Sequence, residues 1–149
     1  MELKRVVVTG LGAITPIGNT APETWAALLN GVSGAGPITQ FDASKFKTQF
    51  ACEVKGFDAS KHFDRKEARK YDRYAQLALV SATEAIEDAA LDLEKEDLNR
   101  IGVIFAAGIG GIRSFEDEVR DYNEERGPRF NPFFIPKIIA DIAAGHISI

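Results

Sequence analysis

The chain has 149 residues but a single cysteine, Cys52, and only two histidines, His62 and His146. One cysteine excludes an intrachain disulfide. Two distant histidines, with no cysteine or carboxylate at ligand spacing, leave no metal-ligating set to read. No apolar run approaches the roughly 20 residues needed to cross a bilayer. The N-terminus passes from Lys4 and Arg5 directly into a short apolar run, with no small-residue cleavage site of the kind a secretory signal carries. An excess of positive charge is also missing. The formal net charge is −4, whereas nucleic-acid binders are usually basic. These gaps point to a cytoplasmic protein, or an organellar one already processed, with neither nucleic acid nor membrane as partner.

What is present is ordinary globular composition, 45% hydrophobic and 27% charged. A chain of this length buries about 68–70% of its unfolded surface if it closes on itself. Its last residues argue against closure: Ile138, Ile139, Ile142, Ile147 and Ile149 crowd a terminus that is usually polar and loosely held. The expectation is a polypeptide that continues past Ile149. The alternative is an apolar helix or strand docked at the end of a small domain.

The stretch VVVTGLGAITPIGN, residues 6–19, first suggests a dinucleotide site. Val6, Val7 and Val8 suit a buried strand, and Gly10 and Gly12 follow at once. The fingerprint then needs a third glycine three residues on, where Thr15 stands before Pro16, and an acidic residue ending a next strand. Both requirements fail. Downstream, Pro22–Asn30 reads as a helix with Gly31 as its left-handed stop and Trp25, Leu28 and Leu29 as its apolar face. Loop-rich sequence follows, anchored by Phe41, Phe46, Phe50 and Phe57, with a half-buried strand expected around Phe50–Lys55 and Cys52 buried or inert within it. Asp64 and Glu67 have capping-box spacing and open a long helix. A stripe of Tyr71, Ala75, Ala78, Ala82, Ala85 and Ala89 recurs at three and four along it. Ile101–Ala107 reads as a second buried parallel strand, Phe115–Tyr122 as a charged helix, Gly127–Pro132 as a turn, and Ala140–His146 as part of a helix beginning near Pro136. This alternation is a βαβ-type pattern. Neither an internal repeat nor a low-complexity linker divides residues 1–149.

Three clusters carry possible function. From Lys61 to Arg73 stand six basic and three acidic residues, a local balance of +3. Arg65, Arg69 and Arg73, with Lys66 and Lys70, are spaced to share one helical face, which would attract a compact acidic partner. The bland reading is a solvated face partly offset by Glu67 and Asp72. Gly108, Gly110 and Gly111 follow a strand at the usual position for an α/β site and hold Ile109 and Ile112. No lysine and hydroxyl stand there in a phosphate-loop pattern, and the glycines could simply permit a tight turn. Phe133 and Phe134 lie stiffly between Pro132 and Pro136. His146, after Gly145 in an apolar segment, reads as structural, and neither histidine reads as catalytic.

Taken together, VVVTGLGAITPIGN, RKEARKYDRYAQLALVSA at 65–82, GIGG at 108–111 and PFFIPKIIADIAAGHISI at 132–149 closely resemble the N-terminal portion of type II β-ketoacyl-acyl carrier protein synthases. These are condensing enzymes of fatty-acid synthesis with a thiolase-like α/β fold. The resemblance implies that residues 1–149 are the first part of such a domain. It implies decarboxylative condensation of malonyl-carrier thioester with an acyl thioester, in a homodimer, with no metal or redox cofactor. The family's nucleophilic cysteine lies shortly beyond AGHISI, and its two histidines and lysine come later, so no catalytic residue is expected here. By the same resemblance, Gly108, Ile109, Ile112 and Phe134 line an acyl pocket, Phe134 reaching that of the partner subunit. Arg65, Lys66, Arg69, Lys70 and Arg129 form an acyl-carrier-protein dock. Two other readings stay open: a catalytically silent chain-length-factor-like subunit, and a fragment that only binds carrier protein.

Overall fold

The computed structural model describes residues 3–124 and 131–149. In chain order its elements are α1 (Ala21–Leu29), β1 (Ala35–Pro37), β2 (Phe50–Cys52), α2 (Arg65–Ala68), α3 (Arg73–Asp88), α4 (Ile112–Asn123), α5 (Phe134–Ile138) and α6 (Ile142–Ser148). Short 3₁₀ turns stand at Ala59–Lys61 and Leu98–Arg100. They group into two units: Met1–Phe57 with Ser81–Leu91, and Asp58–Val80 with Asp92–Ile149.

In the first unit, α1 begins at Thr20, whose side chain accepts the Glu23 N–H. The Glu23 carboxylate reaches back to the Asn19 N–H at 2.8 Å. The helix ends as expected at Gly31, where the Gly31 and Val32 N–H groups return to the Leu28 and Ala27 carbonyls. Its apolar face is not covered: Trp25 is 62% exposed and Leu29 70%. β1 and β2 pair antiparallel with Gly36 opposite Ala51. A strand therefore lies where FACEV predicts one, but only Ala51 is half-buried, and Cys52 is exposed rather than buried. Phe41 and Phe46 meet edge to face at 5.6 Å. They remain largely exposed, as does Phe50, so the expected aromatic anchoring is weak.

The two predicted buried parallel strands are not found. Val6–Val8 in the first unit and Ile101–Ala107 in the second belong to no strand. Val6 is 89% exposed, and Ile104 is fully so. Among the described residues the only sheet is the antiparallel pair β1–β2. The reason is physical: an apolar β-branched run becomes a strand only when another strand satisfies its N–H and C=O groups. None among the described residues runs beside either segment.

In the second unit, the predicted long helix is two helices. α2 ends at Ala68 and α3 starts at Arg73. Asp64 caps α2 through the Lys66 and Glu67 N–H groups. Gln76 Nε2 then donates to the Ala68 and Tyr71 carbonyls, satisfying acceptors freed by the break. Asp72 starts α3 by accepting the Tyr74 N–H on its carboxylate and the Gln76 N–H on its carbonyl. Arg73 consequently leaves the helix that carries Arg65 and Lys66, and the predicted five-cation face does not form. Two residues of the small-residue stripe pack closely, against a helix and not against a sheet. Ala75 and Ala78 are buried against Ala143 of α6, with Tyr71, Tyr74 and Ile147 packed around them. The His146 ring meets Tyr71 at 4.7 Å, in the structural role expected of it. The predicted helix from Pro136 is likewise divided, into α5 and α6. Pro136 is the third residue of α5, where a missing N–H breaks no helical bond.

Candidate functional site

The glycine loop of the first unit settles the phosphate question. Two of its N–H groups are already met by carboxylates of the chain. Leu11 donates to Asp88 at 2.9 Å, and Ala13 donates to Glu84 at 2.8 Å. The other Glu84 oxygen accepts the Ala21 N–H at the start of α1, also at 2.8 Å. A Cβ on Gly12 would lie 1.9 Å from the Ser81 carbonyl oxygen, so α3 itself fills the space beneath the loop. Loops of this kind hold phosphate with convergent backbone N–H groups; here an internal anion occupies that role.

In the second unit, Gly108–Ile112 and α5 are brought together. The Gly111 N–H points to the Ile138 carbonyl at 3.4 Å, and a Cβ on Gly111 would lie 2.1 Å from the Lys137 oxygen. Phe134 stacks on Phe115 of α4, ring centroids 6.2 Å apart. Gly108 is exposed, and Ile109 and Ile112 are 69% and 56% exposed. A groove of about 470 Å³ runs along one face of α4 past Phe115, Val119 and Asn123. None of the four residues expected in an acyl pocket lines it. Any apolar ligand at Ile109 would need walls from further residues.

One tie beside this turn has no counterpart in the sequence reading. Asp72 is buried, and its Oδ2 accepts both the Ser114 hydroxyl at 2.6 Å and the Ser114 N–H at 3.2 Å. The available signal was an aspartate directly before the apolar-periodic run RYAQLALV, a helix-start pattern. Glu84 and Asp88 had a subtler one, two carboxylates four apart on an otherwise small and apolar helix face.

The basic segment is partly engaged. Arg65, Lys66 and Arg69 are exposed. Lys70 forms an ion pair with Glu67, which also accepts the Tyr71 hydroxyl at 2.8 Å. These two hydrogen bonds, Lys70 first, hold the Glu67 carboxyl below its ordinary range. Burial, and then the bond to Glu67, push the Tyr71 phenol up. Backbone N–H groups of Glu67 and Lys66 lower Asp64. Arg129 lies outside the described residues, as does most of the turn expected at Gly127–Pro132. Among the described residues, no group of three or more His, Cys, Asp or Glu could hold a metal ion, and no helix is long and apolar enough to cross a membrane.

The family model for the β-ketoacyl synthase N-terminal domain matches residues 3–149. The chain belongs to the β-ketoacyl synthase family. It is 47% identical over 145 residues to a 3-oxoacyl-[acyl-carrier-protein] synthase 2 of Synechocystis sp., covering 97% of the chain and 35% of that protein. To the protein of the same name in Staphylococcus aureus it is 44% identical over 146 residues, with shares of 98% and 35%. The chain thus spans about a third of the length of these relatives. Among solved structures, the ishigamide ketosynthase/chain length factor superposes with a TM-score of 0.77 at 28% identity, over 95% of this chain and 36% of that one. A type II PKS acyl-carrier protein in complex with its ketosynthase gives 0.77 at 26% identity, with shares of 98% and 38%. The β-ketoacyl synthase chain therefore carries the N-terminal portion of a thiolase-like α/β fold. The sheet neighbours missing from Val6–Val8 and Ile101–Ala107 are consistent with that partial coverage.

Proposed function

We propose that residues 1–149 are the N-terminal part of one condensing-enzyme domain that lengthens fatty-acyl chains by decarboxylative condensation. The observation that carries this reading is 44–47% identity, across nearly the whole chain, to two 3-oxoacyl-[acyl-carrier-protein] synthases 2. In such an enzyme a cysteine thiolate takes the acyl group from its carrier thioester. Malonyl-carrier thioester then loses carbon dioxide, and the resulting carbanion attacks the acyl thioester, adding two carbons. The cysteine, two histidines and lysine of that chemistry come from the remainder of the enzyme. This chain contributes scaffold, a dock and part of a pocket, in a cytoplasmic homodimer.

The dock consists of Arg65, Lys66, Arg69, Lys70 and Arg129, offered to an acidic acyl carrier protein. The exposure of the first three cations supports it, as does a structural neighbour whose ketosynthase is bound to its carrier protein. The pocket consists of Gly108, Ile109, Ile112 and Phe134. The packing of the glycine turn against α5 supports a shared wall. The ketosynthase/chain length factor neighbour favours one second reading, a silent subunit of the same fold.

In the synthase that contains this chain, Arg69→Glu with Lys70→Glu should raise the KM for acyl-carrier substrate about tenfold at low salt. An unchanged KM would remove the dock. Ile109→Phe should block long acyl substrates far more than short ones, and equal loss for both would remove the pocket. Mass spectrometry after incubation with acyl-carrier thioester separates the two readings of the whole enzyme. A covalent acyl adduct identifies an active synthase, and its absence with retained carrier binding identifies the silent subunit.

A further inference from the structure

Gly111 precedes α4 and brings no side chain to cap it; α4 has no capping bond from its own N-terminal flank. Its first turn is capped from elsewhere in the sequence. The Asp72 carboxylate, 42 residues upstream, accepts the Ser114 N–H on Oδ2 and the Tyr74 N–H of α3 on Oδ1. One buried carboxylate therefore caps two helices, one atom each. Asp72 directly follows the segment carrying Arg65, Lys66, Arg69 and Lys70. Ser114 is the third residue of α4, which begins at Ile112 directly after the turn carrying Ile109. Ser114 Oγ, donating to Oδ2 at 2.6 Å, doubles the link. Helix starts leave unsatisfied N–H groups whose capping fixes the angle at which the chain enters the helix. The entry to α4 is the glycine turn itself, held on its other side by α5 through the Ile138 carbonyl.

We propose that Asp72 is a positioning residue that sets acyl-chain-length selectivity by fixing the glycine turn, and with it Ile109, through its shared cap of α3 and α4. The inference rests on the pocket role given to Ile109 above. With the cap intact, Ile109 keeps one placement, and long and short acyl chains are discriminated. Without it, the start of α4 frays and discrimination weakens.

The test uses the synthase that contains this chain, with Asp72→Asn, Ser114→Ala and Ile109→Phe. Asn keeps one acceptor for Tyr74 but turns an N–H₂ toward Ser114. Ser114→Ala removes only the hydroxyl bond and spares α3, so it stands even if Asp72→Asn folds poorly. Amide exchange at Ser114 should accelerate by roughly tenfold in Asp72→Asn. The ratio of kcat/KM for long over short acyl substrates should shift by several-fold in both cap variants, with the KM for the carrier on short chains unchanged. Faster exchange with an unshifted ratio overturns the proposal and leaves Asp72 a structural cap. Unchanged exchange overturns it as well. If Ile109→Phe blocks long chains while the cap variants leave the ratio alone, only this proposal falls. If Ile109→Phe has no selective effect, the pocket reading has failed and takes the proposal with it.

Discussion

The chain contains two glycine-rich turns that look alike in sequence, TGLG near the N-terminus and GIGG at 108–111. Each follows an apolar run, and each is crossed closely by another segment. Their backbone donors meet different partners. At the first, Leu11 and Ala13 donate to the Asp88 and Glu84 carboxylates, and Glu84 also takes the Ala21 N–H at the start of α1. In the second, Gly111 donates to a carbonyl of α5, and the Asp72 carboxylate meets the N–H of Ser114, the third residue of α4. In the first turn, carboxylates of the protein's own take two of the donors. The second leaves the Ile109 and Ile112 side chains outward, available to whatever covers them. Glycine spacing thus says where backbone comes close; the identity of the group facing the N–H donors decides whether a ligand fits.

The largest expected effect tests the shared feature of the two turns. Gly12→Ala and Gly111→Ala each push a methyl into a backbone carbonyl, at 1.9 and 2.1 Å before any shift. Each should cost about 3 kcal/mol or more, seen as a lowered urea midpoint. A loss under about 1 kcal/mol at either site would mean that the crossing segments yield readily. Next, Glu84→Ala tests the internal anion. It strips the acceptor from two N–H groups and should cost about 2 kcal/mol, with faster amide exchange confined to Ala13, Ala21 and their neighbours. If added formate or acetate restores protection there, the loop is an anion cradle in its own right. Indifference of both amides would break the comparison. The smallest effect concerns α2. Asp64 and Glu67 have lowered carboxyl pKa values when folded, so each stabilises the folded segment above its unfolded pKa. That contribution fades as the pH falls from about 4 through the lowered folded values. Protection of the Lys66 and Glu67 amides, taken relative to the unstructured chain at the same pH, should fall over that acid range and stay flat near neutrality.

Local chemistry was readable where the partners were local. The α1 stop at Gly31 and the Asp64 cap each depend on residues within a turn or two of one another, and each stands as the sequence implies. The strands are not legible in this way: Val6–Val8 and Ile101–Ala107 have the composition of buried strands, but pairing belongs to the neighbour and not to the run. The helix break between Ala68 and Arg73 escapes periodicity because the apolar spacing continues straight across it. What stops the helix is a pair of side chains, Gln76 and Asp72, whose hydrogen bonds leave no mark on the pattern. For the site, the basic residues and the glycine turn were legible by type. Their division between helices, and the engagement of Lys70 by Glu67, were not.

The exposure of Val6–Val8 has a practical consequence for anyone handling residues 1–149 alone. Three consecutive β-branched residues, exposed and without a ladder partner among the described residues, form a template onto which identical chains can stack as cross-β. Immediately ahead stand Lys4 and Arg5, whose like charges would be brought together every 4.7–4.8 Å in such a stack. They act as gatekeepers. Replacing both with neutral residues would remove that repulsion, and the purified segment would then lose solubility before it lost any contact described above.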